Sequence, residues 1–444
     1  MGAAVVALTL VAGGVIWFAS QTEETAHSVA GEKPKKPSPT RISTDGQKVW
    51  SVAAPVAGSG LEDRTVSAQG AWLTPDIYAT GAPDAVTGYN PDSGKEQWSI
   101  PLSGNICAAS RTQTRNGYIA VAHSKAKKVR SRCTEFALID IDEGTTVWRA
   151  SIPEAKATLG LRMSVAVSED VAAAGWPGGS AGYRISDGQQ LWDAPAPGCD
   201  SDEHTGGAQL ITLSVCGSIQ KVGHRDPRTG KATWRYSTRA TDAWVASAEP
   251  LIVALNTGQL YEQWHANRLV AVSAQGRAQA TWEIGEKYVT GCDDQSPACG
   301  AVVTTKDTLY LATDNFHDVN SITAFDIRTG RTKWTYTPDT KLSRVVAPIQ
   351  GDGAGLIAYM LPTSLRGSEV LYLAAEDGKP TLLMKTPDGA VGGDASLASP
   401  PENAMFAKEA PDPAYFADGR LFLHYSGSFN LDTGAPMTMM LGTR

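Results

Sequence analysis

The chain has 444 residues, 42% of them hydrophobic and 19% charged, and a formal net charge of −7. That balance excludes a wholly disordered chain. The negative sign excludes a broad electrostatic footprint for nucleic acid, so no nucleic-acid partner is expected.

Residues 2–19 read GAAVVALTLVAGGVIWFA and carry no charge. As a helix rising ~1.5 Å per residue they would span roughly 27 Å, close to the ~30 Å hydrocarbon core of a bilayer. Trp17 and Phe18 stand at the end of the run, where an aromatic belt belongs. Residues 1–20 are therefore expected to form one transmembrane helix. A cleaved secretory signal ending near Ser28-Val29-Ala30 is the alternative. Residues 21–44, with KPKKPSP at their centre, hold too few apolar side chains for a core and read as a disordered stalk.

Two signals conflict over sidedness. Lys33, Lys35, Lys36 and Arg41 follow the apolar run and none precedes it, which by the positive-inside rule places the body in the cytoplasm. The six cysteines, Cys107, Cys133, Cys199, Cys216, Cys292 and Cys299, form no C-x-x-C pair, and an even number suits an oxidising compartment. The cysteines carry more weight here. The expectation is a single-pass cell-membrane protein with its body on the extracytoplasmic side, or else a secreted one.

From residue 45 to 444 one pattern recurs: a turn glycine followed four residues later by tryptophan. Gly46 leads to Trp50, Gly94 to Trp98, Gly144 to Trp148, Gly188 to Trp192, Gly230 to Trp234 and Gly330 to Trp334. Gly276 leads to Trp282 with two extra residues, while Gly378 and Gly434 are followed by Leu382 and Thr438. Short segments such as GYIAVAH and TLYLAT flank the turns and read as strands. A period of 42 to 56 residues built from short strands is that of a propeller blade. Nine turns delimit eight intervals, which predicts an all-β, eight-bladed β-propeller, with seven blades as the alternative. Residues 48–53 have a turn and a tryptophan but no blade before them, so they are expected to cross to the C-terminal blade and close the ring.

The best-kept copy is AFDIRTGRTKW. Asp326 is placed to accept turn N–H groups, Gly330 to supply positive φ, and Trp334 to cover the neighbouring blade. Ala324, Asp326, Thr329, Gly330 and Trp334 fit A-x-D-x-x-T-G-x-x-x-W, and Asp226, Thr229, Gly230 and Trp234 fit it with His224 in place of the alanine. Asp140, Gly144 and Trp148, and Asn90, Gly94 and Trp98, fit more loosely. This resembles the tryptophan-docking repeat of pyrroloquinoline-quinone-type β-propellers, over about residues 45–444. The resemblance implies either a quinone (PQQ, Ca²⁺) dehydrogenase or a non-catalytic propeller like the outer-membrane assembly scaffold. It also looks like the membrane-anchored form typical of actinobacteria.

Sequence order pairs the cysteines as Cys107–Cys133, Cys199–Cys216 and Cys292–Cys299, one of fifteen possible connectivities. Other chemistry is weakly supported. Residues 178–182, GGSAG, fit G-x-S-x-G without the strand-turn-helix setting of a nucleophile elbow, and Gly351-Asp352-Gly353-Ala354-Gly355 reads as a turn. Asp293-Asp294 and the run Asp314-Asn315-Phe316-His317-Asp318 are oxygen-rich but lack the spacing of a calcium loop. The quinoproteins' adjacent-cysteine pair is missing from the sequence. No catalytic, cofactor or metal residue is therefore assigned. The expected function is a monomeric, non-catalytic binding or scaffolding propeller tethered to the membrane. Its protein or small-molecule ligand would sit at the channel mouth or on the loops, above all 392–415 and the basic segment 124–133 with Lys125, Lys127, Lys128, Arg130 and Arg132.

Overall fold

The computed structural model describes residues 46–442 apart from 54–64, 68–69, 128–130, 153–162, 197, 200, 259–264, 293–298, 314–319, 339–344, 364, 389–413, 425–427 and 431–435. The expected anchor and stalk, residues 1–44, lie outside this set. Among the described residues no helix is long and apolar enough to cross a membrane. By its contacts the chain divides into residues 1–39 and 40–444, and every described residue belongs to the second unit.

The described body is an all-β, eight-bladed propeller. Blades 1 to 7 occupy residues 71–101, 106–151, 164–195, 201–239, 242–283, 288–336 and 346–385, each an antiparallel sheet whose strands follow chain order. First strands of successive blades touch one another, so they converge on the axis. Second strands such as Val171–Trp176, Leu251–Asn256 and Gly355–Met360 are buried at every residue. Both faces of the sheet are covered by neighbouring blades there, and the sequence becomes a continuous apolar run. The outer strand of blade 4, Ala232–Arg239, alternates half-buried with exposed residues, the period of a strand with one wet face.

Blade 8 joins the two ends of the body. Tyr415–Ala417, Arg420–His424 and Pro436–Gly442 form its first three strands, and Gln47–Ala53 pairs antiparallel with Pro436–Gly442 as the outer one. Gly46 takes the place of the turn glycine and donates its N–H to the carbonyl of Lys385 in blade 7. The ring is closed by backbone hydrogen bonds, which leaves no free radial edge between the first and last blades. The ninth turn is corrected by this arrangement. Thr433-Gly434 falls outside the described residues, and the strand after it is the third of blade 8. Thr438 faces Val52 and His424 across that sheet, so it is no docking position. The strand left over, Ser428–Asn430, pairs with Thr65–Ser67 in a separate two-stranded sheet.

One local device sets every seam. In each hairpin of third and outer strands the register slips by one residue, a bulge that aims the next side chain at the following blade. That side chain is Trp98, Trp148, Trp192, Trp234, Ala280, Trp334 and Met384 in blades 1 to 7, and Trp50 in blade 8. Each lies against the turn glycine of the next blade. A Cβ added at Gly94 would sit 2.5 Å from Cγ of Trp50, and one at Gly378 2.6 Å from Cε3 of Trp334. The glycine is required twice over, by this approach and by a φ of 66° at Gly94 and 70° at Gly378. In blades 8, 2, 3 and 6 the indole N–H then donates to a carbonyl of the same turn, Trp50 to Pro91 at 3.0 Å, Trp148 to Ile185 at 2.7 Å, Trp192 to Pro227 at 2.9 Å and Trp334 to Ala375 at 2.9 Å, whereas Trp98 Nε1 in blade 1 is buried without a partner among the described residues.

Blades 5 and 7 depart from this pattern. In blade 5 Ala280 holds the bulge position, and Trp282 reaches Gly330 O from two residues further on at 3.1 Å. In blade 7 the residue on Gly46 is Met384, two beyond Leu382.

Candidate functional site

The repeat residues sit in the seams and hold blades together. In both full copies of the turn one carboxylate oxygen collects three donors. Asp226 Oδ1 accepts from Arg228 N, Thr229 N and Thr229 Oγ1 at 3.0, 2.8 and 2.8 Å, and Asp326 Oδ1 from Arg328 N, Thr329 N and Thr329 Oγ1 at 3.1, 2.8 and 2.9 Å. These hydrogen bonds to the ionised form hold both carboxyls below the usual Asp range. One oxygen of each carboxylate thus satisfies the turn's own donors.

The two faces of the ring differ. Connections from first to second strand and from third to outer strand share one face because strand direction alternates, and most of them are short: 74–77, 168–170, 249–250, 352–354 and 418–419, with the repeat turns. The strand ends on the opposite face are those joined by the blade-to-blade and second-to-third connections, which include 54–70, 125–132, 152–163, 257–267, 337–345 and 386–414. Two disulfides brace this long-loop face. Cys107–Cys133 ties the first strand of blade 2 to the strand after residues 125–132, and Cys199–Cys216 ties the entry of blade 4 to the end of Ile211–Cys216. The third, Cys292–Cys299, closes residues 290–302, an excursion that splits the inner strand of blade 6 into Tyr288–Val289 and Val303–Thr304. Both of its cysteines are buried in one apolar cluster with Trp244 and Ala246 of blade 5's inner strand.

The same strand receives a side chain from across the axis. Arg111, in the connection 110–117 of blade 2, donates from Nη1 to the carbonyl of Val245 at 3.2 Å, although the two blades are three places apart in a ring of eight. A bulge between Val245 and Ser247 breaks the ladder beside that carbonyl. The axis is thus spanned on the short-turn side by one cation.

A buried charged network fills the seam between blades 3 and 4. Asp202, with no exposed side-chain surface, accepts from Ser180 Oγ of blade 3 at 2.5 Å, Ser214 Oγ at 2.6 Å and Arg225 Nη2 at 3.3 Å. Arg225 also donates from Nε to Thr212 Oγ1 at 2.9 Å and from Nη1 to Gly230 O at 2.7 Å, and it lies 5.4 Å over the Trp192 ring. Thr212 Oγ1 meets His204 Nδ1 at 3.0 Å, and the His204 ring stands edge-on to Trp192 at 6.0 Å. Burial pushes His204 down to about 4, against the pull of Asp202, and its Nε2 has no hydrogen-bond partner. Burial also lowers Arg225. The network is enclosed, so it acts on the seam.

The sequence motifs resolve as follows. Ser180 of GGSAG lies in the strand Gly179–Arg184 and spends its hydroxyl on Asp202, and Gly353 belongs to a first-to-second-strand turn. Residues 293–298, 314–319, 128–130 and 389–413, which hold the acidic runs and much of the two long loops, lie outside the described residues. Lys125 and Lys127 pair with Glu135 and Asp84, so the described part of that basic segment is partly neutralised. No bridge joins adjacent cysteines, and among the described residues no three His, Cys, Asp or Glu side chains gather to hold a metal ion.

Among solved structures, BamB from Moraxella catarrhalis superposes with a TM-score of 0.50 at 13% identity, covering 90% of this chain and 98% of that one. The quinohemoprotein alcohol dehydrogenase ADHIIG from Pseudomonas putida HK5 gives a TM-score of 0.51 at 12% identity, covering 90% and 77%. Both likenesses speak to the fold alone. No curated protein sequence matches the chain. The family described as outer membrane protein assembly factor BamB matches residues 40–208 and 202–336. With the matched segments covering more than half of the sequence and tryptophan docking at most of the seams, the chain belongs to that PQQ-repeat propeller family.

Proposed function

We propose that the protein is a non-catalytic binding or scaffolding propeller that engages a protein or small-molecule partner through its long-loop face. One observation carries this reading: the repeated residues are spent on the seams, while the long connections and two of the disulfides gather on one face. Propellers bind on such faces because loop length varies there without cost to the blades. The family description, an assembly factor, points the same way. The body acts as a monomer, since one chain closes its own ring, and it is held outside the membrane, where its disulfides persist.

Site-directed photo-crosslinking in cells tests the reading. A crosslinker at Leu365, exposed in the 361–368 connection of the long-loop face, is expected to trap a partner, and one at Ala354 on the short-turn face is not. Equal trapping at both positions overturns the reading. The alternative, a quinone dehydrogenase, predicts saturable quenching of tryptophan by quinone and Ca²⁺ together with dye-linked alcohol oxidation. Turnover in that assay would replace scaffold by enzyme.

A further inference from the structure

The outer face of blade 4 is basic on a chain whose formal charge is −7. Its outer strand Ala232–Arg239 exposes Arg235 and Arg239, and the adjoining strand Ile219–Arg225 exposes Lys221. The register places Ile219 opposite Arg239, Lys221 opposite Ser237 and Gly223 opposite Arg235. Lys221 is therefore diagonal to both arginines, within ~8 Å on one sheet face. None of the three makes an ion pair or side-chain hydrogen bond with the described residues, and Arg235 adds its repulsion to Arg225 beneath. Ile219, one of three exposed large hydrophobic residues among those described, stands at the end of the strip at 41% exposure. The neighbouring Cys199–Cys216 bridge fixes the hairpin that carries it.

Three other outer strands are different. Glu96–Pro101 carries an acid, Gln190–Pro195 carries Asp193, and Ala278–Glu283 ends in Glu283, which pairs with Arg268 at 2.7 Å. Crowded cations on a sheet face cost stability unless an anion covers them. The outer edge of such a strand also presents backbone donors and acceptors to an incoming chain.

We propose that blade 4 is a docking edge for an extended acidic segment of a protein partner, added as a fifth strand to Ala232–Arg239. The two arginines, four residues apart, lie ~13 Å from each other along the strand, so acids at every second or fourth position of the incoming strand match them. The strip runs along the outer strands of blade 4 and meets the long-loop face only at its Ile219 end, so crosslinking at Leu365 in blade 7 and peptide binding at blade 4 test the two readings separately.

The test uses the full chain and a synthetic peptide alternating Glu with Val. The peptide is expected to bind, more weakly as salt rises, and Arg235→Glu/Arg239→Glu to weaken it by at least about tenfold while Lys221→Ala weakens it about threefold. Methylating alternate backbone nitrogens of the peptide is expected to abolish binding, because strand addition needs them. Thermal melts of the variants should match that of the parent. Three results overturn the proposal: no peptide binding, equal binding of the methylated peptide, or binding of heparin fragments or phosphatidylglycerol vesicles through these residues in place of the peptide.

Discussion

Blade 3 has two faces, and they are held by different physics. Toward blade 2 it buries a cluster of seventeen apolar residues, in which Phe136, Trp148 and Tyr183 contact one another at centroid distances of 5.3 to 6.0 Å. Toward blade 4 the apolar cluster shrinks to five residues, and the docked Trp192 is flanked by Arg225 and His204 instead of aromatic rings. The same bulge and the same glycine serve both seams. The repeat supplies an anchor point, and what surrounds the anchor is free to be oil or charge. Charge makes a seam selective: Ser180 and Asp202 must meet in register, whereas apolar faces tolerate repacking.

That contrast is open to attack by mutation. Asp202→Ala leaves Arg225 buried without its counter-charge and is expected to cost about 3–5 kcal/mol. Adding Arg225→Met should recover part of that loss, and a double-mutant cycle from urea unfolding reads the coupling. Phe136→Ala is expected to cost a similar ~3–5 kcal/mol by opening a cavity, with no such rescue. If the two variants respond alike to salt and pH, the distinction between the seams fails. Gly175→Ala comes next. Its Cβ would press on the carbonyl of Asp202, with an expected cost of about 1–3 kcal/mol, visible as a lower Tm.

pH should separate the seams further. His204 is held neutral when folded, at about 4 against an ordinary value of 6.5, so the unfolded chain binds its proton first. Stability from this group is full above about 6.5 and is lost as pH falls toward 4. His424 in blade 8, pushed by burial to about 3, adds a loss of the same sign. Urea midpoints between pH 7 and 4.5 should fall for the parent and fall less for His204→Gln, while Phe136→Ala keeps the parent slope. The smallest effect belongs to the turn itself. Asp326→Ala, on the surface, is expected to cost about 1 kcal/mol, since it removes hydrogen bonds that water replaces in part.

The docking turn was legible because its chemistry is local. Asp326, Thr329 and Gly330 satisfy one another within four residues, so the letters must recur wherever the turn does. The eight-bladed ring followed from counting them, though the count mistook Thr433-Gly434 for a turn of the same kind. A threonine-glycine before a strand looks alike whether that strand is third or outermost, and only the pairing of Pro436–Gly442 with Gln47–Ala53 decides. The position of Met384 was hidden for a related reason, since a bulge two residues later moves the docking position without changing the letters around it. SDEHT, residues 201–205, is entirely polar, yet it is the inner strand of blade 4, and the burial of Asp202 depends on Ser180 and Arg225 arriving from other strands.

The sequence by itself determined the repeat, the blade period and the anchor of each seam, because these rest on contacts a few residues long and on one spacing between glycine and tryptophan. That residues 48–53 close the ring on the C-terminal blade was also legible, but tertiary structure alone decided that Pro436–Gly442 is their partner strand, which face the longest connections leave from, that Arg111 crosses the axis, and that the seam between blades 3 and 4 is charged. Those depend on register and on side chains brought together from 12 to 134 residues apart, and no local pattern encodes such a meeting.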